Sequence, residues 1–162
     1  MATICLARVD YRLVHGQVVV RWSKEFSPDR IVVADDLLSR DDMMKSIYQM
    51  AAPSNYAFSM LSVQEFVDAY NGGTFGNERL LVLFQSIASC YAAVKAGLPL
   101  DRIQLGNTAK KPGNTGVCKY IFINQDEFKL LQELQTCGTE VYMQNVPGDP
   151  ALKFSVIEKK MS

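Results

Sequence analysis

Leu80-Leu81-Val82-Leu83-Phe84-Gln85-Ser86-Ile87 reads as a buried strand that ends at a helix cap. Its five apolar residues do not alternate with polar ones, which is the pattern of a strand covered on both faces of a sheet. Ser86 stands where a helix N-cap is expected. Ile87, Tyr91 and Val94 then recur at helical spacing until Gly97. The same unit repeats along the chain. Ile31-Val32-Val33-Ala34 is a second uninterrupted apolar run, and strands are expected at Thr3–Arg8, Arg30–Ala34, Tyr56–Leu61, Arg79–Phe84, Arg102–Leu105, Cys118–Ile123 and Glu140–Gln144. Helices are expected between most of them. Val18 to Phe26 forms an amphipathic run, and Ser39–Asp42 resembles a capping box before Met43, Ile47 and Met50. Ser62 with Glu65 opens a helix that stops at Gly72-Gly73, and Asn124 with Glu127 opens one that stops at Gly138. Alternating strands and helices imply right-handed crossovers and a mostly parallel sheet, hence a three-layer α/β/α fold over residues 1–162 as one domain. Gly106 to Val117 breaks the pattern and reads as a loop or short hairpin.

Composition excludes several functions. The 17 Lys+Arg balance the 17 Asp+Glu, so no net charge draws the chain to nucleic acid or an anionic membrane. Lys110-Lys111 and Lys159-Lys160 are short, solvated pairs. No apolar stretch approaches a membrane span and no signal-peptide pattern opens the chain, so a cytoplasmic protein is expected. The four cysteines form no C-x-x-C pair, and with one histidine they supply no metal-ligand spacing, so neither a metal nor a disulfide framework is expected. No G-x-G-x-x-G or Walker pattern is present, and no cofactor is expected.

Open α/β sheets bind ligands outside the carboxyl ends of their strands. That edge collects Asp10, Arg12 and His15 after the first strand, Asp35 and Asp36 after the second, Gln85 and Ser86 after the fourth, and Gly106-Asn107-Thr108 after the fifth. His15 is the only histidine, and it stands at the first strand-to-helix junction with Arg12 three residues before it. A neutral imidazole can accept a phosphoryl group on a ring nitrogen and pass it on. Arg12 can clamp phosphoryl oxygens, and N–H groups from Arg12 to Gly16 at a helix start can surround them. Gly16 lets the backbone come close. Each neighbour has functional and structural readings. Ser86 either donates to the phosphoryl group or only caps its helix. Asp10 either orients His15, holds Arg12, or is a turn residue. Gln17 either faces the phosphate or lies on the helix surface. Tyr11 and Leu13 either meet partners or pack in the core.

Arg8-Val9-Asp10-Tyr11-Arg12-Leu13-Val14-His15-Gly16-Gln17-Val18 resembles the signature around the phosphorylated histidine in the enzyme IIB component of the mannose/fructose/sorbose class of bacterial phosphotransferase systems, R-[IV]-D-x-R-[LIV]-[IV]-H-G-Q-V. Weaker matches follow in order: Ile31 to Asp36, Met50-Ala51-Ala52-Pro53, Leu80 to Phe84, Ala96 to Pro99, Gly106-Asn107 and Asn145-Val146-Pro147. The resemblance implies a cytoplasmic phosphocarrier with the same α/β/α fold. His15 would take phosphate, on Nδ1, from a phosphorylated IIA domain and pass it to a sugar held by membrane IIC and IID components. It implies Arg12 as the phosphate ligand, with Asp10 and Gln17 at family positions. A IIA domain fused to the chain is not expected, since the strand pattern begins at residue 3 and fills the chain. Thr108-Ala-Lys-Lys-Pro-Gly113 departs from the usual stretch after Gly-Asn. The residues themselves leave two other classes open. One is a regulatory or partner-binding α/β protein, against which the intact Arg12, His15, Gly16 and Gln17 argue. The other is a hydrolase using His15 and Asp10, which lacks a nucleophile beside them.

Overall fold

The computed structural model describes residues 1–162. Strand β1 (Thr3–Asp10) leads to helix α1 (Gly16–Phe26), β2 (Arg30–Ala34), α2 (Asp42–Ala51), β3 (Ala57–Leu61), α3 (Val63–Asn71), β4 (Arg79–Phe84), α4 (Ile87–Lys95) and β5 (Arg102–Asn107). A hairpin of β6 (Thr115–Cys118) and β7 (Ile121–Ile123) follows. The chain then runs through α5 (Gln125–Thr136), β8 (Glu140–Met143), β9 (Leu152–Lys153) and α6 (Phe154–Met161). The main sheet has the order β3-β2-β4-β1-β5-β8-β9. All its pairs are parallel except β8 with the two-residue β9.

The uninterrupted apolar runs lie where both faces are covered. Ile31, Val32, Val33, Leu80, Leu81 and Val82 are essentially inaccessible. Burying such a side chain contributes about 1.5–3 kcal/mol. Their two-residue alternation divides them between two cores. Ile31, Val33, Leu81 and Leu83 join Val19 and Trp22 of α1 on one face. Val32, Leu80, Val82 and Phe84 join Phe66, Ile87, Cys90, Phe128 and Leu131 from α3, α4 and α5 on the other. This is the mostly parallel α/β/α sandwich that the sequence implies. No helix is long and apolar enough to cross a membrane.

The caps at Ser62, Ser86 and Asn124 form as expected, and two of them are reciprocal boxes closed by Glu65 and Glu127. Two expectations need correction. The cap of α2 is Asp41, whose carboxylate accepts from the Met44 N–H, while Ser39 lies in a 3-10 turn and bonds the Asp36 carbonyl. The stripe of Met43, Ile47 and Met50 on α2 faces outward. The helix instead packs through Tyr48, at the edge of the smaller core. Cys118–Ile123 is not one strand, because Lys119 and Tyr120 turn the chain between β6 and β7 in a separate antiparallel ribbon. The carboxyl-terminal helix α6 buries Phe154, Ile157 and Met161 and adds an element to the sequence-based outline.

The chain leaves β1 towards β2 and leaves the adjacent β4 towards β5, so the two right-handed crossovers carry α1 and α4 to opposite faces. The carboxyl ends of β1, β4 and β5 therefore surround a topological switch point. The loop from Tyr11 to His15 lies there.

Candidate functional site

The β1–α1 loop is a tight, fully specified turn. The Leu13 N–H donates to the Asp10 carbonyl at 2.9 Å, the Tyr11 N–H to the Asn107 carbonyl at 3.1 Å, and Gln85 Nε2 to the Tyr11 carbonyl at 3.3 Å. Leu13 adopts φ +54° while almost completely buried. A left-handed leucine is strained and persists only where its surroundings over-determine it. Here the buried side chain pins the turn from below. His15 is the N-cap residue of α1, in extended conformation, and its imidazole makes no capping bond. The imidazole is exposed, as are Gly16 and Gln17 in the first turn. No acidic side chain lies in that turn to offset the positive end of the helix dipole, and the Gly16 and Gln17 N–H groups have no acceptor within the helix.

Beneath the loop lies a cluster of charges. By strand alternation Leu6, Arg8 and Asp10 share the face covered by α1. Asp10 is 1% exposed and is bracketed by two arginines. Its Oδ1 accepts from the Arg12 backbone N–H at 3.0 Å and from Arg12 Nε at 3.3 Å. Its Oδ2 accepts from Arg8 Nη2 at 3.2 Å and from Arg12 Nη2 at 3.4 Å. The Arg12 side chain stays about a quarter exposed, 6.0 Å from the ring centroid of the exposed Tyr11. Asp10 therefore holds Arg12, which selects between the readings open for it. Two arginines compensate its charge, so its burial is tolerable.

Arg8 is the residue that sequence reasoning missed. It is 1% exposed in the middle of the sheet. Nη1 donates to Gln104 Oε1 at 2.6 Å and to the Gln144 carbonyl at 2.9 Å, and Nη2 to the Asn145 carbonyl at 2.8 Å. The guanidinium lies 5.4 Å from the Trp22 ring centroid. Burial pushes its pKa down from the ordinary arginine value, and the Asp10 charge opposes that shift. The only signal for it in the sequence was its place in the signature.

The other candidates separate. Gly16 needs its positive φ of +41°, yet no atom lies within 4 Å of where a Cβ would be, so its role is backbone conformation rather than close approach within the chain. Leu13 is core and Tyr11 is surface. Ser86 Oγ accepts from the Ser89 N–H at 3.1 Å and bonds Ser89 Oγ, so the cap reading accounts for its hydroxyl. A cavity of about 60 Å³ beside Tyr11 is lined by Gln85, Ser86, Thr108 and Lys111. Clefts of about 330 and 480 Å³ lie away from the loop, against β1 near Cys5 and against β9.

An exposed imidazole and a braced guanidinium thus stand at the switch point of an open α/β sheet. Residues 4–161 match the family model described as PTS system sorbose subfamily IIB component. The chain is 33% identical over 148 residues to the PTS system sorbose-specific EIIB component of Lacticaseibacillus casei, covering 91% of this chain and 90% of that protein. It is 29% identical over 158 residues to the PTS system mannose-specific EIIAB component of Escherichia coli K12, and spans about half (49%) of that longer protein's length. The crystal structure of the IIBSor domain of the sorbose permease from Klebsiella pneumoniae superposes with a TM-score of 0.92 over 97% of each chain, at 26% identity. The chain belongs to the sorbose-type PTS IIB family, and is a IIB component of a mannose/fructose/sorbose-class sugar phosphotransferase system.

Proposed function

We propose that this chain is a cytoplasmic phosphocarrier, one domain over residues 1–162, that accepts a phosphoryl group on His15 and hands it to a sugar during uptake. The observation that carries this reading is the exposed imidazole of His15 at the start of α1, three residues after an arginine held by a buried carboxylate. In the first half-reaction Nδ1 attacks phosphorus. An N–P bond forms as the N–P bond of the donor phosphohistidine breaks, and no external proton acceptor is needed for a neutral imidazole. Charge on the three transferring oxygens requires placed donors. Arg12 uses two of its five N–H donors on Asp10 and offers the rest. The N–H groups of Gly16 and Gln17 supply the helix-start contribution. Ser86 is not needed, since it caps α4.

The donor in this reading is a phosphorylated IIA domain. A relative named as an EIIAB component carries both parts in one protein, which supports such a partner here. The acceptor is a sugar held by membrane IIC and IID components, to which this chain docks peripherally. The cleft beside the loop, at about 60 Å³, is far below the roughly 300–1,000 Å³ of small-molecule sites. An open edge suits an imidazole visited in turn by two macromolecules. The hydrolase reading loses its basis, because Asp10 is committed to two arginines rather than to His15.

The test is label transfer from radiolabelled phospho-IIA to the wild-type chain and to His15→Ala. Wild type should take up acid-labile, base-stable phosphate, and His15→Ala should take up none while keeping its fold. Stoichiometric labelling of His15→Ala would overturn the assignment.

A further inference from the structure

We infer that Arg8 is a positioning residue for phosphoryl transfer: it fixes the Asp10 carboxylate, and through it the backbone and guanidinium of Arg12. This inference rests on the phosphocarrier reading of the His15 edge. A charged side chain in the middle of a parallel sheet is costly, and Arg8 is nonetheless enclosed completely. The fold makes room for it. Register slips where Val9 pairs with Leu105 and Asp10 with Asn107, so Gly106 is the extra residue, a bulge directly against Arg8. A Cβ on Gly106 would lie 2.0 Å from Arg8 Cζ and 2.4 Å from each Nη. Only glycine admits the guanidinium there.

The contacts that hold Arg8 come from β5 (Gln104), from the residues after β8 (Gln144 and Asn145) and from α1 (Trp22). Its Nη2 is thereby held against Asp10 Oδ2. Asp10 Oδ1 is left to accept from the Arg12 backbone and Nε. The order of support is therefore Gly106 and Gln104, then Arg8, then Asp10, then Arg12. Arg8 itself is sealed from solvent and does not reach the transferring group. A misplacement of about 1 Å in such a chain can cost on the order of 100-fold in rate.

The full-length chain and three substitutions test this. Gly106→Ala displaces the guanidinium without removing its charge. Arg8→Met in the Asp10→Asn background removes both buried charges together, so neither is left unpaired. Two readouts are taken: the single-turnover transfer rate from phospho-IIA, and the NMR signals of the Arg12 backbone N–H and Nε–H. The second is independent of phosphate uptake. Gly106→Ala should slow transfer 10- to 100-fold, shift both Arg12 signals and cut their exchange protection at least tenfold. Arg8→Met should add less than twofold to the defect of Asp10→Asn, because Arg8 acts through that carboxylate. Unchanged Arg12 signals in a folded Gly106→Ala protein would overturn the inference. So would an Arg8→Met effect on transfer that is as large with Asn at position 10 as with Asp. Failure of the wild-type chain to accept phosphate would refute the phosphocarrier reading instead, and the Arg12 signals would still decide whether Arg8 positions them.

Discussion

Replacing Arg12 with lysine should slow phosphoryl transfer about 30- to 1000-fold and barely change stability. Both magnitudes follow from the geometry. Arg12 meets Asp10 through Nε and Nη2 at 3.3 and 3.4 Å, and its side chain is 26% exposed. Asp10 is buried but the Arg12 end of the pair is partly open to solvent, and lysine keeps a positive charge there, so the pair is weakened by up to about 1 kcal/mol rather than broken. Asp10 keeps Arg8 at 3.2 Å in the variant, so no buried carboxylate is left bare. The Arg12 backbone N–H also remains available to Oδ1. Stability should therefore fall by less than about 1 kcal/mol. Transfer is different, because a lysine ammonium cannot hold Asp10 with one edge and a phosphoryl group with another. Losing a charge-assisted contact made at the transition state costs on the order of 2–4 kcal/mol, which gives the rate loss stated. Rapid-quench single turnover with phospho-IIA measures the rate, and urea unfolding measures stability. A rate within about twofold of wild type would refute the clamp. A stability loss above about 2 kcal/mol would show that Arg12 serves the fold.

Ser86→Ala should cost about 1 kcal/mol in urea unfolding through loss of the α4 cap and leave transfer within twofold; a tenfold slower transfer would restore Ser86 to the phosphate site. Gly16→Ala should cost about 1–2 kcal/mol, a backbone term alone, since φ is +41° and no atom opposes a Cβ; a loss of 4 kcal/mol would contradict that. Burial pushes the Cys90 thiol from an ordinary 9.0 up to about 12. Its protonated form is favoured by the fold, so its contribution is complete below about pH 9 and is lost as pH rises towards 12. Cys90→Ala should flatten the alkaline limb of a stability-against-pH curve, and an unchanged limb would assign it to other groups, such as Tyr120, raised to about 12 by burial.

The parts of this fold that could be read in the sequence are those whose cause is local. Arg30–Ala34 and Arg79–Phe84 match their strands residue for residue, because burial on both faces leaves an unbroken apolar run. The caps at Ser62, Ser86 and Asn124 need only a side chain and an N–H three residues on. Elements decided by distant residues were harder. Met43, Ile47 and Met50 mark α2 as a helix but not its buried flank, which the smaller core sets around Tyr48. Helix α6 was obscured by the Lys159-Lys160 pair, although Phe154, Ile157 and Met161 carry its buried face. At the site, the switch-point position of His15, Arg12 and Asp10 was legible because one turn contains them all. Arg8 was not, because the glycine that admits it lies on β5, far along the chain, and the carbonyls that hold it follow β8.

The most direct test of the carrier mechanism is to locate the phosphoryl group. The wild-type chain, charged by phospho-IIA and kept at alkaline pH, should carry one phosphoryl group per chain on His15, found by mass spectrometry of the peptide and assigned to Nδ1 by phosphorus–nitrogen coupling in NMR. Mixing it with membranes bearing the sugar-binding components and sugar should then discharge it. A phosphoryl group found on any other residue, or one on His15 that the sugar system cannot discharge, would contradict transfer through this imidazole.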